Sequence, residues 1–404
     1  MRAVGLLTMP DVLFIKTSSL GDVIHHMPAL MEARRQRPAA RFSWVVEEAF
    51  APLVQIHPAI SEVIPVASRR WRGTLLAPAT WREIASFGRV VRARGYDDII
   101  DTQGLVRSAL MARLARGRRH GYDANSIRER AASWFYDVRH RVARDLHAIA
   151  RNRMLTGLAL GYAPGDAVDF GLSREAIAQT GGEPYGILFH ATARPEKEWP
   201  EASWIALGRA LAARGGSLLL PWGTETEHAR SRRVAAALSN ARAPERQPLD
   251  RMAALIARAR FVIGVDTGLI HLAAALGVPL VAIFTASEPG LTGPMGQGPI
   301  AVVGGKHKQP SVSEVVAVSN DSGLLHVAAA LGTPAIGIFG PTSAWHWAPL
   351  NPIAAVIETA DELPCRPCHK PVCRLGHHRC MRDIPVERVA MSVRQAIGPA
   401  RASI

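Results

Sequence analysis

Short apolar runs, each closed by a few polar residues and followed by a stretch of helical spacing, recur along the whole chain. The runs at 11–15, 41–46, 62–66, 96–101, 185–190, 217–221, 261–265 and 280–284 read as buried strands, and 23–35, 202–214 and 252–259 as helices between them. Strands alternating with helices predict parallel sheets covered on both faces. The break at Ala163-Pro-Gly-Asp166 divides the pattern into two doubly wound halves, expected at 11–175 and 180–315.

One stretch organises the second half. Phe261-Val-Ile-Gly-Val is an apolar run, Asp266-Thr267-Gly268 a polar turn, Leu269 to Leu276 a small-residue helix, and Leu280 to Phe284 a second run. Residues 317–339 repeat it 55 positions later, with Asp321, Gly323, His326, Gly332, Pro334 and Phe339 in register. Two copies do not make a solenoid. The expectation is therefore a partial duplicate of the second domain at 316–404, with strand 335–339 extending or packing on that domain's sheet. It ends in an amphipathic helix, 385–397, expected to brace the first domain.

Composition narrows the class. At 404 residues and 48% hydrophobic the chain holds two or three domains, and no run reaches the length of a membrane span, so a cytoplasmic protein is expected. The formal charge is +14, and only five of the 48 basic residues are lysine. Arginine suits bidentate phosphate or carboxylate binding. The field favours an anionic partner: a phosphorylated substrate, an acidic lipid surface or nucleic acid. Residues 116–153 are rich in Arg and His, but no nucleic-acid-binding signature accompanies them.

Candidate chemistry sits where predicted strands end and helices begin, the place where open α/β sheets bind ligands and helix N–H groups receive phosphate. Asp266, Thr267, Gly268 and His271 occupy one such loop. Asp22 occupies another, as a helix cap or as a general base. Arg69, Arg70 and Arg72 around Trp71 form a compact anion clamp. All four cysteines lie in the tail as Cys365-x2-Cys368-x4-Cys373-x6-Cys380, a spacing open to two readings, structural zinc or four reduced thiols.

Taken in order, Lys16-Thr-Ser-Ser-Leu-Gly-Asp22, Trp44-Val-Val-Glu-Glu-Ala-Phe50, Ile64 to Arg72, Asp101-Thr-Gln-Gly-Leu-Val106, His190 to Arg194 with Lys197 and Trp199, Leu220-Pro-Trp-Gly223 and Val265 to His271 resemble the bacterial lipopolysaccharide heptosyltransferases, type I in particular. The resemblance implies a GT-B fold, two Rossmann-like domains facing a cleft. It also implies metal-independent, inverting transfer of heptose from ADP-heptose to Kdo of Kdo2-lipid A, at the cytoplasmic face of an anionic inner membrane and without nucleic acid. It makes Asp22 the base. Thr192, Lys197, Glu227, Gln247, Asp266, Thr267, Gly268 and His271 become donor contacts, and Arg69, Arg70 and Arg72 acceptor contacts. No cofactor is implied beyond the possible structural zinc. Residues 318–343 look more like the end of a type II heptosyltransferase, so the tail reads as a fused remnant. The rival classes are a type II-like enzyme, a nucleotide-binding protein and an inactive fusion.

Overall fold

The computed structural model describes residues 9–178, 183, 185–212, 217–306, 317–320, 325, 335–344, 348, 354–359, 363–368 and 373–397. Contacts divide the chain into two compact units. The first holds residues 1–179 with 247–257 and 290–296, and the second the remainder.

The first unit carries six strands: β1 (Asp11–Ile15), β2 (Arg41–Glu47), β3 (Glu62–Val66), β4 (Gly95–Asp101), β5 (Arg116–Tyr122) and β6 (Val138–His140). They lie in the order β3-β2-β1-β4-β5-β6, all parallel. Leu13, Phe14, Ile15, Phe42, Trp44, Val45, Ile99 and Ile100 are fully buried, which is why the central strands read as continuous apolar runs. Pro65 removes an amide from the ladder, and β3 is an edge strand, where that loss is tolerated. Helix Leu20–Gln36 and helix Ala148–Leu160 pack together, and between them Glu32, 4% exposed, meets Arg153, 7% exposed, through two hydrogen bonds of 3.0 and 3.1 Å.

The second unit repeats the plan with β7 (Tyr185–Phe189), β8 (Ser217–Leu219), β9 (Ala241–Arg242), β10 (Phe261–Val265), β11 (Leu280–Phe284) and β12 (Ile300–Gly304). The order β9-β8-β7-β10-β11-β12 is again that of a Rossmann sheet. Helix Glu201–Ala212 covers one face with Trp204, Leu207 and Leu211 against Leu188, Ile263 and Ile283. Gly264 lets helix Gly268–Ala275 and β7 close on β10: a Cβ there would lie 2.7 Å from Ile270 Cγ2 and 2.9 Å from Phe189 Cβ.

The tail forms a third sheet of its own, β13 (Ala317–Asn320), β14 (Ala335–Phe339) and β15 (Ala355–Glu358), so β14 does not extend the donor-type sheet. Its pairing copies the original. Val262 faces Leu280 across β10 and β11, and Ala317 faces Ala335 across β13 and β14, a separation of 18 residues in both (280 − 262 and 335 − 317). Helix Val386–Ile397 packs on this small sheet, with Ile384 and Val389 against Ile336 and Ile357, and belongs to the second unit. Asp321, Ser322, His326 and residues 307–316 lie outside the described residues.

Candidate active site

In each Rossmann sheet the chain reverses its strand order beside the first strand, between β1 and β4 and between β7 and β10. That is where such sheets bind ligands. Both polar clusters stand there.

In the first unit the loops after β1 and β4 are tied to each other. Buried Asp101 accepts from the amides of Gln103 (2.8 Å) and Gly104 (3.2 Å) through Oδ1, and from the Tyr136 hydroxyl (2.7 Å) through Oδ2. Gln103 Oε1 in turn accepts from the amides of Thr17 and Ser18. Gly104 adopts φ +69°, a conformation that favours glycine. The Lys16 ammonium is buried and donates to the Thr102 carbonyl at 3.0 Å. Burial lowers its pKa, against the pull of Asp22 and Asp101. Asp22 begins the helix as a cap, accepting through Oδ2 from the Ser19 amide (2.7 Å) and hydroxyl (3.0 Å). The cap and base readings are thus compatible, since capping occupies Oδ2 and leaves Oδ1 for a proton.

The arginine clamp divides. Arg70 is held by carboxylates, Glu48 at 3.1 Å and Glu83 at 2.9 Å. Arg69 lies over the Phe50 ring at 5.0 Å, and its amide is taken by Glu47. Burial depresses the pKa of Arg107, and the positive charges of Arg72 and Arg69 depress it further, so these three guanidiniums share one field. Arg107 also donates to Ser18 Oγ at 2.8 Å, which brings the field to the β1 loop. The cationic group at this switch point is therefore Arg69, Arg72 and Arg107. Arg107 was not among the expected acceptor contacts, because its proximity to Ser18 spans 89 residues.

In the second unit Asp266 gathers the cluster. Its Oδ2 accepts from Lys197 Nζ at 2.5 Å and from the Ser287 hydroxyl, and its Oδ1 stands 3.9 Å from His271 Nε2. Burial alone would raise this carboxyl. The nearby His271 ring and the hydrogen bonds from Lys197 and Ser287 outweigh it and hold the group well below the usual carboxylate range. Thr192 Oγ1 donates to the Asp266 carbonyl at 3.1 Å. Thr267 is the N-cap of helix Gly268–Ala275, so the amides of Thr267 and Gly268 lie at the positive end of its dipole. Six of the eight expected donor residues come together here. Glu227 instead closes a capping box, its Oε2 accepting from the amides of Gly223 (2.7 Å) and Thr224 (3.3 Å). Gln247 belongs to the first unit. Ser287 carried no signal in the sequence.

In the basic segment 116–153 some charges are paired within the unit, while Arg116, Arg128, Arg130, Arg139, Arg141 and Arg144 are exposed. Arg118 pairs with Asp98, Arg119 with Asp137 and Arg153 with Glu32. His120 stacks on His140 and bonds to Asp98, while Arg151 covers Tyr122.

The four cysteines are free, half-buried thiols around one cavity of about 400 Å³. Among the described residues no group of three His, Cys, Asp or Glu is placed to hold a metal ion.

Two Rossmann units with a cationic and a carboxylate-centred switch point are the plan of a nucleotide-sugar glycosyltransferase. The chain belongs to glycosyltransferase family 9 (heptosyltransferase), whose sequence profile matches residues 84–317 and again residues 312–378. The second match falls on the duplicated segment. Lipopolysaccharide heptosyltransferase 1 of Salmonella typhimurium is 42% identical over 294 residues, 72% of this chain and 93% of the relative. The solved structure of E. coli heptosyltransferase WaaC with ADP is 39% identical, covers 73% of this chain and 94% of that one, and superposes with a TM-score of 0.69. A second WaaC structure, with ADP-2-deoxy-2-fluoro heptose, is 38% identical over 74% of this chain and 94% of that one, TM-score 0.67. The fold is the GT-B arrangement that the motifs implied.

Proposed function

We propose that the chain transfers heptose from ADP-heptose to Kdo of Kdo2-lipid A with inversion, without a metal ion, at the cytoplasmic surface of the inner membrane. The observation that carries this reading is the buried Asp266 carboxylate gathering Lys197, Ser287 and His271 beside the helix amides of Thr267 and Gly268. This is a preorganised receptor for a diphosphate, with the lysine already in place to meet its charge. The names and bound nucleotides of the similar proteins support the donor.

Asp22 Oδ1 takes the proton of the acceptor hydroxyl as that oxygen attacks the anomeric carbon. The bond from that carbon to the diphosphate oxygen breaks on the opposite face, and ADP leaves with the electron pair. Lys197 and the two amides stabilise the charge that develops on it. Arg69, Arg72 and Arg107 hold the carboxylates and phosphates of the acceptor.

Purified protein given ADP-heptose and Kdo2-lipid A in excess EDTA should release ADP and add one heptose with inverted anomeric configuration. Product formed only on an acceptor already bearing heptose would replace this reading with the type II activity. No product on either acceptor would remove it.

A further inference from the structure

On the first unit an apolar surface stays open to water. Helix Ser68–Gly73 is joined to helix Pro78–Arg92 by a loop in which Leu75 is 49% and Leu76 100% exposed, and Trp81 in the next turn is 59% exposed. Trp81 Nε1 donates to the Leu75 carbonyl at 2.9 Å. The indole thereby satisfies its one polar atom and pins the leucine loop. Ile84 stands one helical turn after Trp81, on the same side of the helix. It opens a groove of about 560 Å³ lined by Trp71, Ile84, Phe87, Leu110, Met111 and Leu114, with Arg92 and Arg113 at the rim. Leu110, on helix Val106–Leu114, is itself 48% exposed.

The charge along this segment is mostly positive, although Arg70 is paired with Glu48 and Glu83 and Arg94 with Glu62. Residues 68–94 hold seven arginines and a single acid, Glu83, and that carboxylate is taken by Arg70 and by Trp71 Nε1. A continuous apolar loop and groove edged by cations is poorly matched to water. It matches the boundary of an anionic bilayer, where tryptophan and leucine enter the acyl region and arginine stays with the phosphates. Two arginines at the mouth of an apolar groove also match the chemistry of one lipid, an anionic headgroup above a hydrocarbon chain.

We infer that this face docks on an anionic membrane: Leu75, Leu76 and Trp81 enter the interface, an acyl chain occupies the groove, and Arg92 and Arg113 meet the headgroup phosphate. The inference deepens the proposed function, since it says how the protein would reach a lipid acceptor, and it can fail independently of it.

The test uses the full chain and vesicles of phosphatidylcholine with or without phosphatidylglycerol. Wild type should sediment with the anionic vesicles and at least tenfold less with the neutral ones. Leu76→Ser with Trp81→Ser should lower binding to anionic vesicles about tenfold or more. Leu76 is fully exposed and has no packing to lose, so Leu76→Ser alone should keep the wild-type melting temperature and still weaken binding several-fold. Leu110→Asp, in the groove, should add to the loss. Transfer to a deacylated, water-soluble Kdo acceptor should be unchanged in the Leu76 and Trp81 variants. Wild type that ignores anionic vesicles, or variants that bind them as wild type does, would overturn the docking face. Absence of transfer to the soluble acceptor in wild type would instead count against the proposed function, with vesicle binding still deciding the surface.

Discussion

The two switch points are built on the same sheet order with opposite polarity. In the first unit the lysine is interior, Lys16 at 6% exposure, and the carboxylate of Asp22 stands at the mouth of the β1 loop. In the second the carboxylate is interior, Asp266 at 9%, and Lys197 is the more open partner at 17%. A cation against a carboxylate is common to both. The group presented outward differs: a carboxylate in one, a cation and helix amides in the other. One topology can therefore serve two substrates of different charge by exchanging which member of the pair is buried.

The contrast is sharpest at the two aspartates. Asp22→Ala should lower turnover by roughly 10²–10⁴-fold, the scale of general base catalysis, with ADP affinity within about twofold of wild type by calorimetry. Near-normal turnover would erase the distinction between the units. A second, equalising effect concerns two of the buried histidines, His57 in the first unit and His190 in the second. Burial holds His57 and His190 near a pKa of about 4, despite the His57 bond to the Phe170 carbonyl. An unfolded chain protonates such groups near 6.5, so between pH 6.5 and 4 the unfolded state binds more protons and stability falls as pH falls, levelling below that window. Urea midpoints at pH 7 and pH 5 should show a loss on the order of 2 kcal/mol per histidine. His57→Gln and His190→Gln should each remove its own share of the slope.

Asp266→Ala should act on binding more than on the chemical step. Loss of a charged hydrogen-bond acceptor that positions Lys197 should weaken ADP about 10- to 100-fold. A pure turnover defect with intact ADP affinity would mean that the two switch points share one role. The smallest effect separates neighbouring arginines. Arg72→Ala should raise the acceptor KM several-fold, whereas Arg70→Ala, whose guanidinium is already held by Glu48 and Glu83, should change it by less than about twofold.

Much of this was legible in advance because central parallel strands must be apolar on both faces and their loops must be polar. β1, β2, β10 and β11 announce themselves that way. β5 did not: Arg116-Gly-Arg-Arg-His-Gly-Tyr122 looks like a basic loop. It is a strand only because Asp98 and Asp137, distant in sequence, receive its charges. The short edge strands β6 and β9 carry too few residues to show a period. At the site, Asp266 and its helix were legible as a local motif. The divorce of Arg70 from its neighbours was not, since Glu48 and Glu83 approach it from other elements.

The shared register of β10–β11 and β13–β14 makes the tail a rival for its own parent during folding. β7 needs one parallel neighbour of this kind, and the chain offers two, β10 beginning 72 residues after β7 ends and β13 beginning 128 after (261 − 189 and 317 − 189). Ring closure scarcely separates them, because doubling a loop costs only about 0.6 kcal/mol. What separates them is a missing methylene. Gly264 is the residue of β10 that lies against Phe189, and the corresponding residue of β13 is Ser319, whose Cβ in that place would come within 2.9 Å of the Phe189 Cβ. A sheet that paired β13 with β7 would carry that close contact, which disfavours it against the native pairing.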